Sequence, residues 1–218
     1  FLFNFSATFT DPRDYATCAF NFNLSKFIEE GYGKHIYVSQ TNVEGFRDKT
    51  DFAPIEKQKI VLKTLILQTY INKYFEKVRK EDKTLYHRPL LLTLVNSVNK
   101  PDADLQLFFR EIERIAKDSI SDKTFNNAKK ELLDELKENA KYEFEDKEFD
   151  LNESLLLGLK YKDVLEQVYN SKKPGSIEIS FRPSDKSQVA FKLTTSEKHF
   201  ALIKTGEMPQ WLRDEMGR

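Results

Sequence analysis

A serine and a threonine at the end of an apolar run are the side chains of this sequence best placed for chemistry. Ser6 and Thr8 follow FLFNF, a short bulky run that predicts a buried strand. In an open α/β sheet, ligands bind in the crevice outside the carboxyl ends of the strands, where two hydroxyls can link carboxylates and amides. A second run of strand length, residues 90–98, offers another such end. Taken alone, Ser6 and Thr8 fit a turn that caps a strand better than a ligand site.

Other patterns imitate catalytic motifs but lack what the chemistry needs. GYGKH at residues 31–35 holds the Gly-Lys pair of a phosphate-binding loop, but Ile28 and His35 stand where that loop needs Gly and Ser or Thr. DELK at residues 134–137 imitates the Asp-Glu box that holds Mg²⁺ at the end of a buried strand, yet it lies in charged helical sequence. Glu-x-Lys triplets, which a metal-dependent nuclease needs on neighbouring strands, fall in helical or loop sequence at residues 81–83, 135–137 and 145–147. We interpret these matches as solvated charged faces or chance.

Metal and thiol chemistry are also disfavoured. His35, His87 and His199 are scattered, with no cysteine or second histidine near them, so the spacing predicts no metal site. Cys18 is the one cysteine, which excludes an internal disulfide and fits a reducing compartment. Within YATCAF we expect it to be a small buried apolar residue rather than a nucleophile.

The charge balance gives no global electrostatic signal. Lys plus Arg and Asp plus Glu both number 35, so no net field favours nucleic acid or membrane. Residues 101–150, however, carry 15 acidic and 9 basic side chains, which makes them a poor candidate for phosphate contact. The rest of the chain holds the compensating positive charge. No apolar stretch approaches the length of about 18 residues that a membrane span needs.

The first half of the chain alternates between strand and helix patterns. TDPRD predicts a turn, NLSKFIEEG a short helix that ends at Gly31 or Gly33, and HIYVS a short strand. Residues 53–81 predict one long amphipathic helix. Its apolar stripe is Ile60, Leu62, Leu65, Ile66, Thr69, Ile71, Tyr74, Phe75 and Val78.

A strand and a helix then occur close together in the chain. LLLTLVNSV is almost wholly apolar, as strands covered on both faces of a parallel sheet are. DADLQLFFREIERIAKD predicts a helix capped by Asp102, with Leu105, Phe108, Phe109, Ile112, Ile115 and Ala116 on its inner side. Strand, short loop and helix make half of a βαβ unit. The predicted fold class is therefore parallel α/β.

The second half turns helical and then β-rich. KTFNNAKKELLDELKENAKYEF and KYKDVLEQVYN predict charged helices on either side of an acidic EFEDKEFD. After the turn signal at residues 173–175, SIEISFRP, QVAFKLTT and HFALIKTG predict three short strands, and GEMPQWLRDEM a final short helix.

Four segments taken together resemble a known family. FNFSATFTD resembles motif III, the Ser-Ala-Thr element of superfamily 2 helicases, and PLLLTLVNSV with DLQLFFREIERIA looks like motif IV and its helix. FNFNLSKFIEEGYGKHIYVSQ is similar to the connector of the helicase-like Res subunit of type III restriction-modification enzymes. SEKHFALIKTGEMPQWLRDEM resembles the Res segment that leads toward motif V. The ordered set covers most of the chain.

This resemblance implies a RecA-like (P-loop NTPase-type) parallel sheet and specific roles for five residues. Ser6, Ala7 and Thr8 would couple an ATP site to DNA contact, and Asn96 and Ser97 would touch the DNA backbone. The implied parts are the last strand of the first RecA-like domain (1–10), a connector with the long helix (11–85), the start of the second domain (86–118), a helical insertion (119–175), and a β-rich segment with a terminal helix (176–218).

The resemblance also implies that the chain is an internal fragment of a cytoplasmic ATP-dependent DNA translocase and endonuclease. The sequence lacks an initiator Met, and Walker A and B would lie upstream of Phe1, with motifs V and VI and the nuclease downstream of Arg218. The parent would use ATP and Mg²⁺ and partner double-stranded DNA and a methyltransferase/specificity subunit. We expect the fragment alone to bind no cofactor, hydrolyse no ATP and cut no DNA. Two alternatives stay open, a fragment of another superfamily 2 DNA or RNA helicase and a non-enzymatic protein-interaction domain on the charged helices.

Overall fold

The computed structural model describes eight stretches of the chain, which fall into two units. The first unit comprises residues 1–40 and 140–149, and the second comprises residues 41–139 and 150–218. The described stretches are residues 11–33, 37–39, 54–84, 87–93, 104–117, 120–142, 151–181 and 188–204.

The described part of the first unit contains two short helices and a pair of antiparallel strands. Its elements are α1 (Pro12–Ala16), α2 (Leu24–Glu29), β1 (Tyr37–Ser39) and β2 (Ala140–Tyr142). Helix α2 forms because the Asn23 side chain accepts a hydrogen bond from the Lys26 amide at 3.0 Å, and it stops before Gly31, whose φ of 78° suits glycine. The predicted short helix and its glycine stop are confirmed. The strand predicted at HIYVS is confirmed over Tyr37–Ser39, and His35 and Ile36 lie outside the described residues.

Strand β2 corrects one prediction. The sequence pattern extends the charged helix through residue 144, but that helix ends at Asn139 and the next three residues pair with β1, Tyr37 lying opposite Tyr142. Hydrogen bonds to a distant strand here override the local preference for helix. A segment assigned to the helical insertion thus pairs with one assigned to the connector.

The second unit is organised around one central helix. Its elements are α3 (Pro54–Tyr74), α4 (Glu76–Glu81), α5 (Asp104–Lys117), α6 (Asp122–Asn139), α7 (Glu153–Gly158), α8 (Tyr161–Gln167), β3 (Ile177–Phe181), β4 (Gln188–Leu193) and β5 (His199–Lys204). Helix α3 packs against α5, α6, α7 and α8. No residue from 58 to 76 is exposed. Its most deeply buried apolar side chains are Val61, Leu62, Leu65, Ile66 and Tyr70.

Because α3 is covered on most sides, its polar side chains need partners inside the unit. They find them on three neighbouring helices. The pairs are Lys59 with Glu131 (2.5 Å), Lys63 with Glu135, Lys73 with Asp163 (2.6 Å), the Asn72 amide with the Gln167 side chain, and the Tyr70 hydroxyl with the Asn152 amide (2.8 Å).

The predicted long helix is therefore right in position but wrong in two details. It breaks at Phe75, which separates α3 from α4 and has φ −92° and ψ 8°. Its buried surface is also wider than the predicted stripe, since Val61 and Tyr70 are buried whereas Val78 is 37% exposed. Contact with four other helices, rather than with one flat core, explains the difference.

A three-stranded antiparallel sheet in the order β3-β4-β5 packs against α5. The Phe191 ring of the central strand lies 5.0 Å from that of Phe109. The end of α5 is closed by hydroxyls, since Tyr169 donates to the Ile112 carbonyl at 2.9 Å and Tyr161 donates to that of Ile115. Burial raises the pKa of Tyr169 well above 10.0, so it remains a donor. The three predicted strands and the predicted helix α5 are confirmed.

The parallel RecA-like sheet stays a prediction. Both sheets in the described part of the chain are antiparallel. Of the second apolar run, residues 90–93 are described and form no strand, with Leu90 88% and Leu92 75% exposed. The remaining residues of that run, residues 1–10, the acidic EFEDKEFD and the final GEMPQWLRDEM lie outside the described residues. Among the helices formed by described residues, none has both the length and the apolar character that crossing a membrane requires.

A buried lysine closes the end of α7. Lys129 is 6% exposed, and its Nζ donates to the carbonyls of Leu157 (2.6 Å) and Leu159 (2.9 Å). The ammonium also lies 5.3 Å from the centre of the Phe125 ring. Burial lowers the pKa of Lys129, although Asp122 and Asp163 oppose the shift.

We predict that Lys129→Met lowers the free energy of unfolding by about 1–3 kcal/mol, because two carbonyls lose their donor. Lys130→Met is the matched control, since Lys130 is exposed on the same helix and should change stability by no more than about 0.5 kcal/mol. Urea denaturation measures both. Equal stability of the two variants would contradict the role of the ammonium.

Asp163 joins α8 to α3. It is 8% exposed, its Oδ1 lies 2.6 Å from Lys73 Nζ, and its Oδ2 accepts from the Lys160 amide at 2.7 Å. Burial raises its pKa, but the hydrogen bonds from Lys73 and Lys160 and the charges of Lys73 and Lys162 outweigh burial, so the pKa lies below 3.8.

This shift predicts a loss of stability in acid. The folded chain holds the Asp163 proton more weakly than the unfolded chain does, so the carboxylate stabilises the fold above pH 3.8 and that stabilisation disappears as the pH falls through the lower folded pKa. Asp163→Asn should cost about 1–3 kcal/mol at neutral pH. Urea denaturation across the acid range should show that the variant and the wild type differ less in free energy of unfolding below pH 3.8. A difference that stays constant with pH would show that the Asp163 carboxylate does not cause the loss of stability in acid.

Candidate anion-binding groove

The residues that the sequence singles out for function cannot be placed by the structure. Ser6, Ala7, Thr8, Asn96 and Ser97 all lie outside the described residues. The structure therefore neither brings these residues together nor separates them.

A different site stands out in the second unit, as an open groove of about 1020 Å³. The end of α3, helix α4, the end of α8, the loop after it, the turn between β4 and β5, and Arg88 form its walls. The lining residues are Asn72, Glu76, Arg79, Lys80, Arg88, Glu166, Gln167, Asn170, Ser171, Lys172, Lys173, Thr195, Ser196, Glu197 and Lys198. We call this site the basic groove.

Two loops are fixed to each other at the floor of the basic groove. Asn170 adopts φ 55° where the chain leaves α8, the left-handed conformation common after helix ends. The hydroxyls of Ser171 and Thr195 lie 2.8 Å apart, and Ser196 donates to the Asn170 carbonyl at 2.7 Å. Gly175 allows this approach, because a Cβ there would lie 2.8 Å from the Thr195 hydroxyl.

Two arginines face the basic groove without a carboxylate partner among the described residues. Arg88 donates to the Asn170 side chain at 2.9 Å and to the Gln167 carbonyl. Arg79 donates to the Asn72 carbonyl at the break between α3 and α4. Burial lowers the pKa of Arg88, and the positive charge of Arg79 lowers it further. Both guanidiniums stay charged at neutral pH, so the like charges repel each other there.

The lysines add to this positive charge. Lys80 pairs with Glu76 at 2.8 Å, but Lys172, Lys173 and Lys198 are exposed and form no ion pair with a described residue. The remaining carboxylates of the lining are Glu166 and Glu197. Six basic side chains thus stand against three acidic ones in a protein with no net charge.

Hydrogen-bonding capacity is also left over in the wall. Asn72 Oδ1 and Arg79 Nη1 are both buried and have no hydrogen-bond partner among the residues that the structure describes. Buried polar atoms are rarely left in this state, so each such atom needs an explanation. One atom is a donor and the other an acceptor, on two residues that already contact each other through the hydrogen bond from Arg79 to the Asn72 carbonyl.

The arrangement suits the binding of oxyanions. Among the described residues that line the groove there is no aromatic ring, histidine or cysteine. The described part of the chain also contains no group of three or more side chains that could hold a metal ion. The available chemistry is charge-assisted hydrogen bonding to phosphate, sulfate or carboxylate oxygens.

Sequence reasoning missed the basic groove because its cations come from separate segments. Arg79, Arg88, the pair Lys172 and Lys173, and Lys198 are brought together only by packing. One signal in the sequence could have indicated such a site. Because residues 101–150 are acidic and the whole chain has no net charge, the remaining residues must carry an excess of positive charge.

The structure also places several of the weaker sequence candidates. DELK lies on a charged helix, α6, as predicted. The prediction of a solvated face holds for Asp134, which is exposed, but Glu135 is half-buried and pairs with Lys63 of α3. His87 and His199 are exposed. Cys18 is only half-buried and lies 3.1 Å from the Phe20 carbonyl, so the prediction of a buried residue is wrong.

Comparison of the chain with protein families, with curated proteins and with solved structures finds no match to any of them.

We predict that a polyvalent anion stabilises the protein through the basic groove. Tripolyphosphate should raise Tm by about 3 °C more than sodium chloride of equal ionic strength once it exceeds its Kd about tenfold, since the cations of the groove would bind it in the folded protein and not in the unfolded chain. Thermal denaturation in both salts measures the effect. The Lys172→Gln/Lys173→Gln variant should lose most of it, whereas Lys123→Gln/Lys130→Gln should keep it. Equal shifts in the two salts would contradict the prediction.

Proposed function

We propose that the chain forms part of the helicase-like motor of an ATP-dependent DNA translocase and endonuclease, the Res subunit of a type III restriction-modification system. The observation that carries the proposal is the order of four segments, which resemble motif III, the connector, motif IV with its helix, and the approach to motif V. Any single segment is a weak match. Four in the expected order, spread between residues 3 and 216, are a more specific match.

The geometry supports this proposal in a general way. A translocase must hold a polyanion without reading its sequence, and phosphate contacts from basic, amide and hydroxyl groups do this. The basic groove supplies groups of all three kinds. Helix α5 also comes directly after the segment that resembles motif IV.

The proposal places the nucleotide chemistry outside this sequence. In the parent protein, ATP and Mg²⁺ would bind to motifs upstream of Phe1. Ser6 and Thr8 would link that site to DNA bound near Asn96 and Ser97. The proposed partners are double-stranded DNA and a methyltransferase/specificity subunit, in the cytoplasm.

A fragment of another superfamily 2 helicase is the first alternative. The two differ in the part of the reading frame beyond residue 218, because a nuclease core there and a neighbouring methyltransferase gene would favour restriction. The second alternative, a protein-interaction domain, is favoured by the charged face of α6. It expects a protein partner and no salt-sensitive binding of DNA.

We predict that the polypeptide encoded by the whole reading frame hydrolyses ATP in response to DNA, whereas residues 1–218 alone do not. In the whole protein, Ser6→Ala with Thr8→Ala should lower the DNA-stimulated rate by about tenfold or more, equivalent to about 1.4 kcal/mol in the barrier. Binding of ATP and of DNA should remain, since the substitutions remove coupling rather than binding.

Steady-state ATP hydrolysis with and without duplex DNA tests this prediction. Thr17→Ala is the control, because Thr17 is exposed and the resemblance gives it no role. Absence of DNA-stimulated hydrolysis in the whole protein would rule out the proposed function, and turnover by residues 1–218 alone would rule out the upstream ATP site.

A further inference from the structure

We infer that the basic groove binds the phosphate backbone of a duplex nucleic acid, through residues other than the Asn96 and Ser97 that the resemblance assigns to DNA contact. The inference deepens the proposed function, on which the identity of the nucleic acid as DNA rests. The residues that carry it are Arg79, Arg88, Lys172, Lys173 and Lys198.

Unpaired positive charge converges in the basic groove. Acidic side chains are as frequent in this protein as basic ones, and in the second unit partly buried lysines pair with them, as Lys59 does with Glu131. In the basic groove five cations collect without such pairing among the described residues. Each would gain from an oxyanion that approaches from solvent.

The two arginines have hydrogen-bond donors that their present partners do not use. Their present acceptors are neutral, the Asn72 carbonyl for Arg79 and the Asn170 amide oxygen and Gln167 carbonyl for Arg88. A guanidinium has five donors, so both residues have donors to spare. Hydrogen bonds to a phosphate are stronger than bonds to neutral carbonyls, and one phosphate between the two arginines would also reduce their mutual repulsion.

A competing explanation is that these cations only stabilise helix ends. Arg88 contacts the last carbonyl of α8, and Arg79 contacts a carbonyl of α3, where positive charge is favourable. This explanation accounts for the arginines. It does not account for Lys198, which belongs to the turn between β4 and β5.

The lining of the groove favours a duplex over a single strand. Proteins that hold single strands stack their bases on aromatic rings, but the described lining of the groove has no aromatic side chain. A duplex keeps its bases stacked inside and presents phosphates outward. The groove therefore suits a duplex backbone, read without regard to sequence.

The test is duplex binding measured by fluorescence anisotropy at several salt concentrations from about 50 to 200 mM. The variant Lys172→Gln/Lys173→Gln/Lys198→Gln removes three exposed cations and leaves both arginine contacts in place. We expect its affinity at the lowest salt to fall by about tenfold or more. The slope of log K against log salt should become shallower by about one for each lysine–phosphate interaction that the variant removes.

The matched control is Lys117→Gln/Lys123→Gln/Lys130→Gln, which removes the same charge from exposed positions outside the groove. It should change the affinity by less than about twofold if the groove is the site. Equal reductions in affinity in the two variants would overturn the inference, as would tighter binding of a single strand than of a duplex of the same length.

Failure of this inference can be told apart from failure of the proposed function. Unchanged binding in the groove variant, with weakened binding in Asn96→Ala/Ser97→Ala, overturns the groove as the site but leaves the proposed motor standing. An absence of salt-sensitive binding in the wild type also overturns the inference. Whether the chain is part of an ATP-dependent motor is tested separately, by DNA-stimulated hydrolysis of ATP in the whole protein.

Discussion

The burial of α3 is the constraint on which the second unit depends. A helix of 21 residues that contacts four others must find partners inside the unit for most of its polar side chains. Each ion pair and hydrogen bond it forms therefore also fixes the position of a neighbour. Lys59 and Lys63 fix α6, Tyr70 fixes the start of α7, and Lys73 fixes α8. Apolar burial provides most of the stability, and these polar contacts select one arrangement of the helices.

The basic groove results from the same arrangement. Side chains from other segments close the helix ends around α3, as Lys129 does for α7 and Arg88 does for α8. Closing the end of α8 brings a guanidinium beside the loop that continues from it, and the turn between β4 and β5 is hydrogen-bonded to that loop. A concentration of positive charge is thus produced by elements whose first role is to hold the fold together.

Local patterns in the sequence predicted most elements but not their assembly. Helix α2, helix α5 and the three strands β3 to β5 carry strong periodicity and turn signals, and each occurs where expected. The wide buried surface of α3 and the strand at Ala140–Tyr142 depend on partners that are distant in the chain. The basic groove was missed for the same reason, because no short stretch contains its cations. Hydrophobic periodicity depends on residues that are close together in the sequence. A site formed by several distant segments therefore produces no pattern within any one of them.

The pairing of β1 with β2 has a consequence for the order of folding. The two strands belong to one unit, yet residues 40–139, including all of α3, α5 and α6, lie between them. Closing so long a loop is entropically costly unless the intervening chain is already structured. During synthesis on a ribosome, β1 would remain unpaired until α6 and then β2 had been synthesised. The first unit would therefore be completed late, although its sequence comes first.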